Sequence, residues 1–122
     1  MAQKISVVIP NYNGKNLLKK NLPIVIKNCP GAEIIVVDDC SKDQSVQFLH
    51  KTFKKVRTIK LKKNYGFAIA SNTGVKAAKN NLVLLLNSDV VPKNNFLNPA
   101  RSHFRNNEKL FADIKQDDYN SQ

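Results

Sequence analysis

The chain has 122 residues, with 20 lysines and arginines against 9 aspartates and glutamates, so its formal net charge is +11. This length suits one domain with its own core, and a hydrophobic fraction of 42% is too high for a disordered chain. No apolar run reaches the roughly 20 residues that span a bilayer, and the N-terminus lacks the apolar segment of a signal peptide. These features predict a single cytoplasmic domain that attracts anionic partners.

Strand-like and helix-like segments alternate along the chain. Apolar runs predict strands at 5–9, 33–37, 56–61 and 82–86. Apolar residues at helical spacing predict helices at 17–26, 41–49, 67–79 and 96–111. Pro23 should kink or break the first helix, and Ser41 is a suitable N-cap for the second.

This alternation predicts an α/β fold with a mostly parallel sheet. Because the strands are almost wholly apolar, we expect helices on both faces of the sheet. Ligands of such folds bind at the carboxyl ends of the strands. The polar segments expected at these ends are residues 10–13, 38–41, 62–67 and 87–90.

Asp89 follows a wholly apolar strand, which places a carboxylate at the mouth of the predicted sheet. One oxygen there could hold Mg²⁺ or Mn²⁺ and leave other positions for water and phosphate oxygens. The alternative is an ordinary turn aspartate.

Asp38 and Asp39 follow the second predicted strand. Neighbours in a strand point to opposite faces, so we do not expect the two carboxylates to share a metal. One could accept hydrogen bonds from a nucleobase, and the other could bond nearby backbone or ribose. The alternative is a turn that leads into the next helix.

The segment 63–67 precedes the third predicted helix, whose N-terminal N–H groups favour phosphate. Gly66 would permit a positive φ or a close approach. Asn72 and Gly74 lower the helix propensity, which leaves either a binding role or tight packing against the sheet.

Basic residues concentrate in the segment 51–63, KTFKKVRTIKLKK. It is either the solvated face of a helix end and an edge strand, or a surface for anions. The aromatic residues fall mostly at core-like positions and are not interleaved with lysine and arginine, which argues against nucleic acid. We expect Cys29 and Cys40 to be reduced thiols, and His50 and His103 to be isolated histidines.

Four segments in the same order resemble those of family 2 glycosyltransferases, and most of all the rhamnosyltransferase-like subgroup. They are KISVVIPNYNG, VVDDCSKDQS, KKNYGFAIASNTGVKAA and LLLNSDVVPKNNFL. The resemblance implies a GT-A fold, which is Rossmann-like, here in truncated form. Residues 1–112 would form the nucleotide-sugar-binding part, and residues 113–122 a polar tail where the domain is cut off.

The resemblance also implies roles for individual residues. The nucleotide-sugar-binding residues would be Pro10, Asn11, Tyr12, Asn13, Asp38, Asp39, Asn64, Gly66, Phe67, Asn72, Asn87 and Ser88. Asp89 would take the last, metal-binding position of the DxD motif. Asn87 replaces the first aspartate, which leaves Asp89 as the one protein carboxylate expected on the metal. The catalytic base of the family is a carboxylate that we expect beyond residue 122.

The reaction implied is inverting transfer of a sugar from a UDP- or dTDP-linked donor to a saccharide or lipid-linked acceptor, in cell-wall or polysaccharide biosynthesis. This chain would supply donor and metal binding and would be inactive alone. The implied location is cytoplasmic, with peripheral association at the inner face of the membrane. The alternative is a non-catalytic basic α/β module that binds an anionic nucleotide or nucleic acid, without dependence on metal.

Overall fold

The computed structural model describes residues 4–91 and 110–113 of the chain. The elements in this part are β1 (Ile5–Asn11), α1 (Lys15–Asn28), β2 (Glu33–Asp38), α2 (Ser45–Thr52), β3 (Arg57–Lys60), α3 (Phe67–Ala77), β4 (Leu82–Leu85) and β5 (Leu110–Asp113). The strands are all parallel and lie in the order β3-β2-β1-β4-β5. The predicted α/β fold with a parallel sheet is confirmed.

Helices cover both faces of this sheet, as the apolar strands predict. Side chains alternate between the two faces of a strand. Val7 and Ile9 of β1 therefore belong to the core under α1 and α2, together with Leu49 of α2. Val8 points the other way and packs with Ala70 of α3. Because β1 is buried on both faces, its ends are firmly placed relative to the helices.

The predicted break at Pro23 is wrong, since α1 continues on both sides of it, and the alternative of a kink there stays a prediction. Pro23 is exposed, while Leu18, Leu22 and Val25 of the same helix are buried. Proline removes one backbone hydrogen bond, and the packing of this apolar stripe outweighs that loss.

The predicted N-cap at Ser41 is also wrong, because α2 begins at Ser45. The Asp43 carboxylate accepts hydrogen bonds from the backbone N–H and the hydroxyl of Ser45, and from the backbone N–H of Lys15 at 2.9 Å. Burial raises the pKa of Asp43, but these hydrogen bonds outweigh it and hold the pKa below its ordinary value. The start of α2 is thus tied to the start of α1.

The predicted helix at 96–111 is wrong at its last two residues, and residues 96–109 lie outside the described part of the chain. Leu110 and Phe111 belong to β5 and pair with Leu82 and Val83 of β4. The neighbouring strand supplies hydrogen bonds that a short apolar segment satisfies only in extended form. β5 also crosses the expected boundary between residues 112 and 113, and that division into parts stays a prediction.

Two further features of the described residues concern the cysteines and the hydrophobicity of the helices. Cys29 and Cys40 form no disulfide. Within residues 4–91 and 110–113, no helix combines the length and hydrophobicity that a membrane crossing requires.

Gly74 lies where α3 crosses the sheet, and its contacts favour the packing interpretation of this residue. A Cβ atom at Gly74 would lie 2.3 Å from Cγ1 of Val8 and 3.0 Å from Cγ2 of Val37.

We expect Gly74→Ala to lower the free energy of unfolding by about 2 kcal/mol, because overpacking a core forces its neighbours to move. Urea denaturation measures this change. The control is Asn72→Ala, at an exposed site on the same helix, which should be neutral or slightly stabilising. Equal midpoints for parent and Gly74→Ala would contradict the prediction.

Candidate functional site at the carboxyl edge of the sheet

The carboxyl ends of the central strands meet at one edge, as predicted from the parallel order. Just past β2, the backbone N–H of Asp39 donates to the carbonyl of Asn11 at the end of β1, at 2.8 Å. On the other side of β1, the N–H of Leu86 donates to the carbonyl of Val8 at 2.9 Å. The polar segments that follow β1, β2 and β4 are therefore neighbours in space.

Asp38 is fully buried, and protein donors occupy both of its carboxylate oxygens. Oδ1 accepts hydrogen bonds from Nδ2 of Asn11 at 3.0 Å and from the hydroxyl of Ser41 at 2.7 Å. Oδ2 accepts from the backbone N–H of Ser41 at 2.9 Å. The contact with Ser41, three residues on, matches the turn interpretation of this aspartate. Asp38 thus orients the first two polar segments rather than facing the cleft.

Asp39 takes a different set of partners. Its Oδ1 accepts a hydrogen bond from the backbone N–H of Tyr65 at 2.7 Å, and its Oδ2 accepts one from the N–H of Gly66 at 2.9 Å. Gly66 has a φ of +98°, which glycine adopts without strain. The carboxylates of Asp38 and Asp39 thus point in different directions, as their neighbouring positions in the chain predict. Asp39 also holds the β3–α3 loop next to the ends of β1 and β2.

Asn11 carries a buried acceptor that has no hydrogen-bond partner among the described residues. A carboxylate accepts only, so the amide nitrogen of Asn11 must face Asp38 and its Oδ1 must face away. A Cβ atom at Gly14 would lie 2.4 Å from this Oδ1 and 3.4 Å from the hydroxyl oxygen of Ser88. The absence of a side chain at Gly14 therefore leaves the room that the Asn11 amide occupies.

A small cleft opens at this edge, with a volume of about 110 Å³. Its lining consists of Pro10, Asn11, Tyr12, Asp39, Phe67 and Ala70. Tyr12 and Phe67 remain 48% and 57% exposed, so their rings are available to a ligand. Ligand pockets usually enclose roughly 300–1,000 Å³, so this cleft suits one ring rather than a whole nucleotide.

The segment after β4 lies on the opposite side of β1. Nδ2 of Asn21, a buried residue of α1, donates to the carbonyl of Ser88 at 2.9 Å. The N–H of Val90 donates to the carbonyl of Asn87 at 3.2 Å and closes a turn, in which Asp89 is exposed. This turn, together with the hydrogen bond from Asn21 to Ser88, holds the Asp89 carboxylate at the edge of the sheet.

Asp89 offers one carboxylate, which suits a cation whose other oxygen ligands come from a bound phosphate compound and from water. Within the described residues, no group of three histidine, cysteine, aspartate or glutamate side chains could hold a metal. Mg²⁺ is commonly bound through one or two carboxylates together with waters and phosphate oxygens. A single exposed carboxylate beside a phosphate group meets that requirement.

Besides Asp38, Gly66 and the segment after β4, three more of the predicted site residues do not line the cleft. Asn72 is exposed on α3, and Asn64 is exposed in the loop before it. Asn13 is engaged within the protein, because its N–H donates to the hydroxyl of Ser41 at 2.8 Å and its Oδ1 accepts from the N–H of Lys42 at 2.8 Å. It joins the loops after β1 and β2.

Sequence reasoning missed two residues of this region, Asn21 and Ala70. Asn21 stands on the apolar stripe of α1 beside Leu18 and Leu22, and a polar residue on a buried stripe signals a specific partner. Ala70 lies one helical turn after Phe67, so the same face of α3 could have been expected to line the cleft.

A parallel α/β sheet with polar segments at its carboxyl edge is typical of the Rossmann-like class. The model of the family described as Glycosyl transferase family 2 matches residues 6–122. The chain belongs to this family. The closer assignment to a rhamnosyltransferase-like subgroup stays a prediction.

Individual relatives agree with this assignment. The glycosyltransferase GlyG of Streptococcus pneumoniae is 34% identical over 101 residues, which are 80% of this chain and 34% of GlyG. The poly(ribitol-phosphate) β-N-acetylglucosaminyltransferase TarP of Staphylococcus aureus is 33% identical over 93 residues, 71% of this chain and 28% of TarP. The chain thus spans about a third of the length of these relatives.

Solved structures confirm the GT-A fold. Residues 1–349 of S. aureus TarS, in complex with UDP-GlcNAc, superpose with a TM-score of 0.73 at 30% identity, covering 81% of this chain and 30% of that one. The mannosyltransferase PcManGT of Pyrobaculum calidifontis has a TM-score of 0.71 at 21% identity, covering 84% of this chain and 32% of that one, and shares the fold.

Proposed function

We propose that this chain is the donor-binding part of a glycosyltransferase that moves a sugar, with inversion, from a nucleotide-diphospho-sugar to a saccharide or lipid-linked acceptor. The observation that carries the proposal is the cleft in which Tyr12, Asp39 and Phe67 meet, one strand away from the exposed carboxylate of Asp89. Membership of the family supports the reaction class. The complex of TarS with UDP-GlcNAc supports a UDP-linked donor, and dTDP is the other candidate.

In this proposal the nucleobase occupies the cleft, against the exposed rings of Tyr12 and Phe67. The strands that precede Asp39 and Asp89 flank β1, so they lie about 10 Å apart at the usual strand spacing. A nucleoside diphosphate can therefore extend across the end of β1, with its base beside Asp39 and its phosphates beside Asp89.

Asp89 would hold Mg²⁺ or Mn²⁺ together with oxygens of the diphosphate. The cation supplies charge stabilisation for the departing nucleoside diphosphate. Without it, the Asp89 carboxylate would repel the phosphates.

The remaining carboxylates near the cleft are engaged. Asp38, Asp39 and Asp43 each accept at least two hydrogen bonds from the protein, which direct their oxygens away from an acceptor hydroxyl. A general base must lie within hydrogen-bond reach of the proton that it removes. We therefore assign donor binding to this part and place the base outside residues 4–91.

We expect Asp89→Ala to remove the metal-dependent part of nucleotide binding, because it deletes the protein oxygen on the cation. Calorimetry with UDP and dTDP, with and without Mn²⁺, measures this part. For the parent, Mn²⁺ should raise the affinity about tenfold, the equivalent of one charge-assisted contact of about 1.4 kcal/mol. Asp89→Ala should bind equally with and without Mn²⁺.

The matched control is Asn87→Ala, in the same turn, which should keep most of the Mn²⁺ effect. An undiminished Mn²⁺ effect in Asp89→Ala would refute the metal assignment. Binding that ignores Mn²⁺ in the parent and falls steeply with salt would instead favour a module that binds polyanions.

A further inference from the structure

The segment of residues 51–63, called the basic edge below, contains seven basic residues and no acidic one. All seven side chains are exposed. They are Lys51, Lys54, Lys55, Arg57, Lys60, Lys62 and Lys63. The nucleotide site uses none of them, so the proposed function leaves this charge unexplained.

The fold places the basic edge along the outermost strand of the sheet in the described part of the chain. It begins at the end of α2, follows β3, and reaches the carboxyl edge of the sheet. β3 pairs with β2 on one side, and no described strand pairs with its other side. From Lys54 to Lys63 the segment can extend up to about 30 Å. The charge thus extends along the whole open edge of the sheet.

The types of basic residue in the basic edge favour one class of anionic partner over another. Its one arginine, Arg57, is engaged, because its guanidinium donates to the carbonyl of Ala77 at 2.7 Å and lies 3.5 Å from the carboxylate of Glu33. The other six residues are lysines. Lysine acts as a flexible point charge, whereas arginine reads phosphate groups through a rigid fork of donors. Six lysines suit a surface of many mobile anionic groups better than a partner with fixed phosphate positions.

We propose that the basic edge docks this domain on a bilayer surface that contains anionic lipids. Clustered lysines near such a surface gain electrostatic energy additively, without a defined geometry. Tyr65 follows Lys63 closely and is 46% exposed, and an aromatic ring with a polar hydroxyl suits the boundary between headgroups and water.

Docking through this edge has a geometric consequence for the cleft. Lys62 and Lys63 precede Tyr65 and Gly66, whose backbone N–H groups Asp39 holds. The end of the basic edge is therefore fixed next to the mouth of the cleft. A bilayer in contact with Lys62 and Lys63 would lie within reach of a donor bound there.

The test is sedimentation of the full 122-residue chain with vesicles of phosphatidylcholine alone, or with added phosphatidylglycerol. The parent should bind only the anionic vesicles. Replacement of Lys54, Lys55 and Lys62 by glutamine should lower the partition coefficient about fivefold per lysine, or about a hundredfold in total. The matched control replaces Lys19, Lys20 and Lys27, three exposed lysines of α1, and removes the same charge. Its affinity should fall much less.

Several outcomes would overturn the proposal. Equal losses in the two triple variants would show that net charge alone drives binding. Tighter binding to duplex DNA or heparin than to anionic vesicles would assign the basic edge to a soluble polyanion. Unchanged vesicle binding with new self-association would mean that the lysines only protect an open strand edge. Calorimetry with UDP on the same proteins should show no change, so a failure of the donor-site proposal would be seen separately.

Discussion

Replacing Asp39 with alanine is expected to remove most of the nucleotide affinity and to leave the core folded. The side chain holds the β3–α3 loop through two backbone N–H groups, at 2.7 Å from Tyr65 and 2.9 Å from Gly66. Hydrogen bonds to a charged group are worth about 1.5–3 kcal/mol each. Without them, the loop that positions Phe67 must be ordered by the ligand itself.

We expect the affinity of Asp39→Ala for UDP, measured by calorimetry without metal, to fall about a hundredfold, or roughly 2.7 kcal/mol. Asp39→Asn keeps one oxygen that can accept from one of the two N–H groups, so its loss should be intermediate. Both variants should still unfold cooperatively in urea, with a loss of up to about 4 kcal/mol, because Asp39 is buried and its hydrogen bonds to the loop are lost. If both variants bind UDP with the affinity of the parent, Asp39 acts only as a turn residue and the prediction is contradicted.

Replacing Asp38 with alanine is expected to damage the fold itself. This carboxylate is fully buried. Its removal leaves the hydroxyl and the N–H of Ser41 without their acceptor, and leaves the amide of Asn11 with only the Ser41 hydroxyl, at 3.5 Å. Each buried donor without a partner costs about 1–3 kcal/mol, so we expect a loss of about 4 kcal/mol in the free energy of unfolding. The measurement is urea denaturation followed by circular dichroism.

Asp89→Ala is the matched control, because it makes the same chemical change at an exposed strand end. It should unfold at the same urea concentration as the parent. Should Asp38→Ala prove as stable as Asp89→Ala, the buried network would contribute nothing. Loss of nucleotide binding without loss of stability would instead mean that Asp38 contacts the ligand.

The parallel sheet was predictable because its strands are short, mostly apolar runs that end in polar residues. The positions of the four strand ends follow from that pattern, and with them the location of the site. The pattern does not predict the secondary structure of a segment when that structure depends on a partner far away in the sequence. β5 is a strand because it pairs with β4, and Ser41 does not cap α2 because Asp38 takes its hydroxyl.

The candidate site was predictable to the level of segments, and less so to the level of single residues. Two adjacent aspartates look equivalent in the sequence. They differ in the structure because Asp38 bonds Asn11 on β1 and Ser41 in its own turn, whereas Asp39 bonds Tyr65 and Gly66 before α3. All of these partners except Ser41 lie 26 or 27 residues away. Separations of this kind carry no local signal. The same holds for Asn21, whose partner Ser88 is 67 residues distant.

Helix α1 touches both halves of the candidate site without lining the cleft. Its first residue, Lys15, bonds Asp43 in the loop after β2, and Asn21 bonds Ser88 beside Asp89. Between these two anchors the helix rises about 9 Å, at 1.5 Å per residue. The helix is thus a spacer of fixed length between the loop after β2 and the turn that carries Asp89. If the donor binds as we propose, a core substitution that shifts α1 along its axis should change which donors fit, even though it alters no residue in contact with the donor.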